Sequence, residues 1–187
     1  MRIVVDEDKN HIQDAESKLG EFSKQAPTAI SRALNRAATN VNSNIKKELR
    51  KEYNIKAGDI GSTLSTLKAN KTLLKAEVKS SGALIPLDKF KISPKTVNPK
   101  RKSQIKIGVK KDGLKTVLGA FVADISGKKV FQREGQSRLP IKRLFGPSVP
   151  QMLGNEEIRS EIERQGQETF DKRLEHEINR ILEKGRG

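Results

Sequence analysis

His11 and His176 are the two imidazoles of the sequence, and it contains no cysteine. Without a thiol there is no disulfide, no thiolate nucleophile and no cysteine-based metal site. His176 lies between Glu175 and Glu177, which have the right chemistry for a metal ligand set or a carboxylate-oriented base. On a helix, however, adjacent side chains point in different directions, so the three do not converge. A surface histidine is the expected reading there, and the same holds for His11 in a charged first helix. The acid pairs Glu156–Glu157 and Glu161/Glu163 fall where helix capping and solvation account for them. There is no phosphate-cradling glycine loop, no G-x-G-x-x-G and no H-E-x-x-H. No serine occupies a nucleophile-elbow setting. With no Trp, Tyr53 as the one tyrosine and six Phe, an aromatic ligand cage is not expected either. These residues predict no catalytic centre, no cofactor and no metal, and therefore not an enzyme.

Charge is the dominant chemical feature. The 187-residue chain carries a net +15, and that charge is unevenly placed. Residues 1–21 sum to −3 and 151–187 to −2, so the middle, 22–150, carries +20. Its densest stretch runs from Lys89 to Lys111 with nine basic residues and no acid: Lys89, Lys91, Lys95, Lys100, Arg101, Lys102, Lys106, Lys110 and Lys111. Such a stretch attracts a phosphate backbone or an acidic protein surface, and salt weakens either attraction. A solvated loop that only keeps the protein soluble is the third reading, and all three remain open from composition.

The elements that position these residues follow from periodicity. Apolar residues at 34% and charged residues at 33% allow only a thin core. Residues 2–5 suit a short strand, and Asp6 to Lys9 a helix start with carboxylates at the positive end of the dipole. A first helix extends to about Phe22. Pro27 opens the strongest helix, expected over 26–53. Its stripe is Ile30, Leu34, Ala37 or Ala38, Val41, Ile45, Leu49 and Tyr53 at three- or four-residue spacing. A long apolar seam of this kind marks a core helix rather than one that reads DNA. Lys56 to Gly61 punctuates the chain. Thr63–Leu67 and Leu73–Lys79 alternate as an antiparallel pair turning at Asn70-Lys71. Ile85-Pro86-Leu87 is expected to be extended, and 91–102 to be a mobile basic loop. Strands follow at 104–110, 118–123 and 129–133, with turns at Asp112-Gly113 and Ser126-Gly127. Residues 139–153 are too apolar for a free linker and too proline-broken for one helix, so contact must order them. Asn155-Glu156-Glu157 caps a last helix with the stripe Ile158, Ile162, Phe170, Leu174, Ile178 and Ile181, ending near Gly185. The expected fold class is α+β: a long N-terminal helix and a C-terminal helix packed on a mostly antiparallel β-sheet. One domain over 1–187 is expected, with N-terminal helices at 1–60, the sheet at 61–135 including the basic loop 89–111, and the Pro-rich segment and last helix at 136–187. No apolar run is long enough to span a bilayer and no signal-peptide stretch is present, so a soluble protein made in a reducing cytoplasm is expected, without membrane contact.

The run from Gly135 to Leu153, with Arg138-Leu139-Pro140-Ile141 and Gly146-Pro147-Ser148-Val149-Pro150-Gln151-Met152, resembles the minor tail protein Z family of tailed bacteriophages and prophages. Ala29 to Leu49, Val130-Phe131-Gln132-Arg133 and Phe170 to Glu177 extend the resemblance over most of the chain. The basic loop at 91–102 departs from the family pattern. The resemblance implies a structural virion protein that completes the tail at its head-proximal end and helps join tail to head. It further implies synthesis in the host bacterial cytoplasm and a place in the neck region of the virion. The implied assembly is a homo-oligomeric ring, a hexamer to match a six-fold tail tube. Its partners are then the tail tube protein and the head completion or neck proteins, with genomic DNA passing the lumen. Rings need heterologous interfaces, and two surfaces suit that role. One is the Pro-rich segment, through Arg138, Leu139, Pro140, Ile141, Leu144, Phe145, Pro147, Val149 and Met152. Leu144 and Phe145 are expected to be buried against the body or a neighbour. The other is the basic loop, through Lys89, Lys91, Lys95, Lys100, Arg101, Lys102 and Lys106, expected to face an acidic partner or the DNA path. The competing reading is a nucleoid- or RNA-associated basic protein that binds nucleic acid with strong salt dependence. A small hydrolase is the third.

Overall fold

The computed structural model describes residues 1–6 and 9–185. In chain order the elements are β1 (Arg2–Asp6), α1 (Lys9–Leu19), a 3-10 turn (Gly20–Gln25), α2 (Ala26–Glu52), α3 (Ala57–Gly61), β2 (Leu64–Leu67) and β3 (Lys75–Ser80). Then come β4 (Ile85–Pro86), a second 3-10 turn (Leu87–Lys89), β5 (Lys91–Ser93), β6 (Lys106–Gly108), β7 (Lys115–Thr116), β8 (Ala120–Asp124) and β9 (Lys128–Arg133). β10 (Ile141–Arg143), β11 (Phe145–Gly146), α4 (Val149–Met152) and α5 (Glu156–Gly185) complete the chain. Every strand pairing among the described residues is antiparallel, so the fold is α+β as the periodicity predicts. Among the described residues the strands form four small sheets rather than one. The chain groups into two compact units: Met1–Lys46, Leu64–Ser81 and Leu153–Gly187 in the first, Lys47–Thr63 and Gly82–Met152 in the second. The carboxylates expected at the start of the first helix include Glu7 and Asp8, which lie outside the described residues.

The first unit is built around the apolar seam of α2 and the stripe of α5. Ile30, Leu34, Ala37, Ala38 and Val41 are fully buried, and Ala26, Ala29 and Ala33 join them. Five small residues on one face allow close approach of neighbouring chain, and each large buried aliphatic contributes about 1.5–3 kcal/mol. Its sheet runs β1-β3-β2, with Ile3 opposite Val78, both in the core. The β2–β3 connection turns where expected: the Asn70 side-chain oxygen accepts from the backbone N–H of Thr72 and Leu73, at 2.9 and 2.7 Å. Asn35 of α2 fastens that hairpin. Its amide donates to the Ala69 carbonyl at 2.9 Å and accepts from the Ala69 N–H at 2.8 Å. The polar face of α2 is thus partly spent on its own sheet. α5 begins with the Asn155 oxygen capping the N–H groups of Glu157 and Ile158. Ile158, Ile162, Phe170, Leu174, Ile178 and Ile181 are all buried, as the stripe predicts. α5 packs on α1 and β1, and the His11 and Phe170 rings meet edge to face with centroids 5.3 Å apart. On the outer face Arg164 bonds Glu161 and Glu168, and the Glu161 hydrogen bond first of all raises the guanidinium's already high pKa.

The second unit holds the short sheets β10-β9-β8, β5-β6-β7 and β11-β4. The β8–β9 turn is at Ser126-Gly127, both in the left-handed region at φ +53° and +99°. Three sequence expectations need correction. Lys91–Ser93 is not loop but strand β5, with Ile92 opposite Ile107 on β6. Of the strand expected at 104–110 only 106–108 forms a ladder. Beyond it a β-carbon on Gly108 would lie 2.9 Å from Leu114 and 3.0 Å from the Gly113 carbonyl, so the chain there is wedged against its own hairpin. The Asn54 amide donates to the Gly108 and Lys110 carbonyls at 3.0 and 2.8 Å. Third, the proline-broken segment contains strands β10 and β11, which its composition conceals.

Candidate interaction surfaces

The Pro-rich segment is ordered by its own unit. β10 pairs with β9, with Ile141 opposite Arg133, and β11 pairs with β4. Leu144 donates its N–H to the Val130 carbonyl at 3.0 Å and accepts from Leu87 N–H at 3.0 Å. Arg143 forms a two-pronged ion pair with Asp88 at 2.9 and 3.0 Å. A β-carbon on Gly146 would come within 2.9 Å of the Phe90 ring, so the segment lies flat on the core. The expected interface residues therefore divide. Val149 and Met152 are buried in α4, where Ser148 and Gln151 cap each other. Ile141, Leu144 and Pro147 are half-buried, and Arg138 and Pro140 are exposed. Leu139 is 65% exposed and Phe145 48% exposed. Within the chain itself Phe145 is not a core residue; its ring meets the Arg143 guanidinium at 5.8 Å. The segment thus presents two large apolar side chains on a pinned backbone.

The basic stretch is less uniform than its charge count. Lys89 forms an ion pair with Asp59 at 3.1 Å, and Lys110 lies over the Tyr53 ring at 5.9 Å. Lys91 and Lys106 point outward from β5 and β6. Arg101 bends back onto Thr96, donating to its hydroxyl at 2.5 Å and its carbonyl at 3.1 Å. Lys95, Lys100 and Lys102 are exposed. Between residues 96–105 and β8 lies a groove of about 420 Å³.

The side-chain cluster that sequence reasoning missed is on α5 and α2 of the first unit. Glu177 is 1% exposed and is bound by three arginines: Arg173 at 2.7 Å, Arg180 at 3.1 Å and Arg32 at 3.5 Å. The Nε of Arg180 is buried with no hydrogen-bond partner among the described residues. The signal was present in the spacing. Arg173 and Arg180 stand four before and three after Glu177, and Glu177 falls among the apolar stripe residues Leu174, Ile178 and Ile181. His176 is exposed. Among the described residues no group of three or more His, Asp or Glu is placed to hold a metal ion, and no helix is long and apolar enough to cross a membrane.

The described residues thus carry, on a small α+β frame, two exposed apolar side chains, a basic groove and a buried glutamate held by three arginines. The model of the prophage minor tail protein Z family matches residues 11–184, and the chain belongs to that family of phage tail structural proteins. No curated protein and no solved structure matches it.

Proposed function

We propose that the protein is a tail completion subunit that forms a ring at the head-proximal end of the tail and helps join tail to head. It acts without catalysis. Membership of a minor tail family supports a place in the virion tail. The observation that carries the finer reading is the pair Leu139 and Phe145, 65% and 48% exposed on a segment held rigidly by β10, β11 and the Arg143–Asp88 pair. A monomer with no partner gains nothing from presenting large apolar side chains on a fixed backbone. A ring subunit does, because one patch must meet a different patch on its neighbour. Six copies suit a six-fold tube, with neck proteins on one face and DNA in the lumen.

The test is the mass of the purified protein alone and after mixing with tails, by light scattering and electron microscopy. Rings on wild-type tails, and loss of rings with Leu139→Asp plus Phe145→Asp, support the reading. A wild-type protein that never associates with tails or itself overturns it. The net +20 of residues 22–150 favours a second reading, a nucleic-acid-binding protein. Tight, salt-sensitive binding to free duplex without tail association would establish that one instead.

A further inference from the structure

We propose that the groove along β8 is a strand-addition site for an extended, acidic segment of another tail or neck protein. The proposal rests on the assembly reading above and names the partner of its basic surface. β8 is the outer strand of the β10-β9-β8 sheet, so one edge of its backbone has no strand partner among the described residues. Its sequence, Ala-Phe-Val-Ala-Asp, carries one charge, at the far end. Exposed edges are normally blunted by charges, prolines or a covering element, because they recruit other chains. Here the edge opens instead onto the groove of about 420 Å³ whose opposite wall is residues 96–105. That volume is in the range of a specific binding site.

The lining dictates the occupant. Ile105, Ala120 and Val122 supply apolar floor, and Arg101, Lys102 and Arg133 supply charge; no carboxylate lines the groove. Among the described residues neither Lys102 nor Arg133 has an acidic partner, and Arg133 lies 5.6 Å from the Phe121 ring centre. A chain added to β8 satisfies the free edge with its own backbone, and its alternate side chains face opposite walls. Alternating acidic and small apolar residues therefore fit. Nucleic acid has no matching ladder of N–H and C=O groups. A second copy of this chain is a poor donor, since its acid-rich ends are taken up by paired strand β1 and helix α1 at one end and by helix α5 at the other.

The probe is a capped eight-residue peptide of alternating Glu and Val, titrated into isotope-labelled full-length protein and followed by amide chemical shifts. Saturable binding is expected, with shifts at 119–123 and 101–105. The same peptide N-methylated at every residue should bind at least tenfold more weakly. Lys102→Gln and Arg133→Gln should each weaken binding by roughly three- to tenfold, as loss of one charge-assisted contact does. Lys102→Gln guards the result, because Lys102 is exposed and forms no hydrogen bond or ion pair among the described residues. Equal binding of the methylated peptide, shifts confined to other residues, or displacement of the peptide by a short DNA duplex at the same amides would each overturn the proposal. Ring formation is measured separately, so a peptide that fails while rings still form refutes this site and leaves the assembly reading standing.

Discussion

Replacing Glu177 by Gln removes one negative charge while keeping the side chain's volume and its acceptor oxygen. In the native first unit that charge is 1% exposed and serves Arg32, Arg173 and Arg180. Breaking a fully buried pair costs about 3–5 kcal/mol because an uncompensated charge stays behind. The three guanidinium groups are 37–50% exposed, however, so water screens them and they can turn outward. Each contact is then nearer the range of an exposed pair, about 0.2–1 kcal/mol. Three such contacts put the loss at about 1–3 kcal/mol. For a chain of this length that lowers the melting midpoint by roughly 2–12 °C. Scanning calorimetry of both proteins at low and moderate salt reads it, and the deficit should shrink as salt rises, because screening weakens the native pairs. The nearly isosteric apolar variant Glu177→Met separates charge from packing. It should destabilise at least as much, since it also strands the Arg180 and Arg173 donors. A Glu177→Gln protein as stable as the parent at every salt concentration would refute the reasoning and make the cluster a surface ornament.

Phe170→Ala should destabilise by about 3–5 kcal/mol in urea unfolding, because Phe170 is the largest fully buried side chain. His11→Gln should cost about 0.5–1.5 kcal/mol through the lost edge contact with that ring, while His176→Gln, at an exposed site, should change neither melting nor particle yield. Phe145→Ala should cost the free subunit less than about 1 kcal/mol, being half-exposed, yet lower the yield of joined particles in a complementation assay. Neutralising Lys95, Lys100, Arg101 and Lys102 to Gln should leave melting unchanged and weaken tail joining, most at low salt where the parent's attraction is least screened. Equal particle yield across all salt concentrations would make the stretch merely solvated.

Helices were legible because their signal is local. The α2 seam repeats its apolar residues over seven turns, and every residue that the spacing selects from Ile30 to Tyr53 is buried, with Ser31, Ala33 and Glu48 buried beside them. The cap at Asn155 and the hairpin turns at Asn70 and Ser126-Gly127 follow from side chains that satisfy backbone groups within three residues. The Glu177 cluster was half legible. Its Arg173 and Arg180 partners lie one helical turn away and can be counted off. Arg32 is 145 positions distant, and only packing brings it there. A glutamate set among Leu174, Ile178 and Ile181 is nonetheless a warning in itself, since an unpaired charge does not survive on a core face.

The basic groove failed for one specific reason. The sequence identifies β8 and β9 as a hairpin, but a hairpin alone has two free edges and does not say which one stays free. The third strand decides, and it comes from Ile141–Arg143, inside a segment whose prolines argue against a ladder. Those prolines flank β10 rather than interrupt it, so its three residues pair with β9 unhindered. Once that pairing covers the far side of β9, β8 is left as the edge. The basic residues 96–105 then line the opposite wall of the groove along it. Missing β10 and missing the groove are therefore a single error. The β10–β9 pairing that fixes the chain just after Leu139 on one side of the hairpin leaves β8 as the edge on the other, while Phe145 is held separately by the β11–β4 pairing.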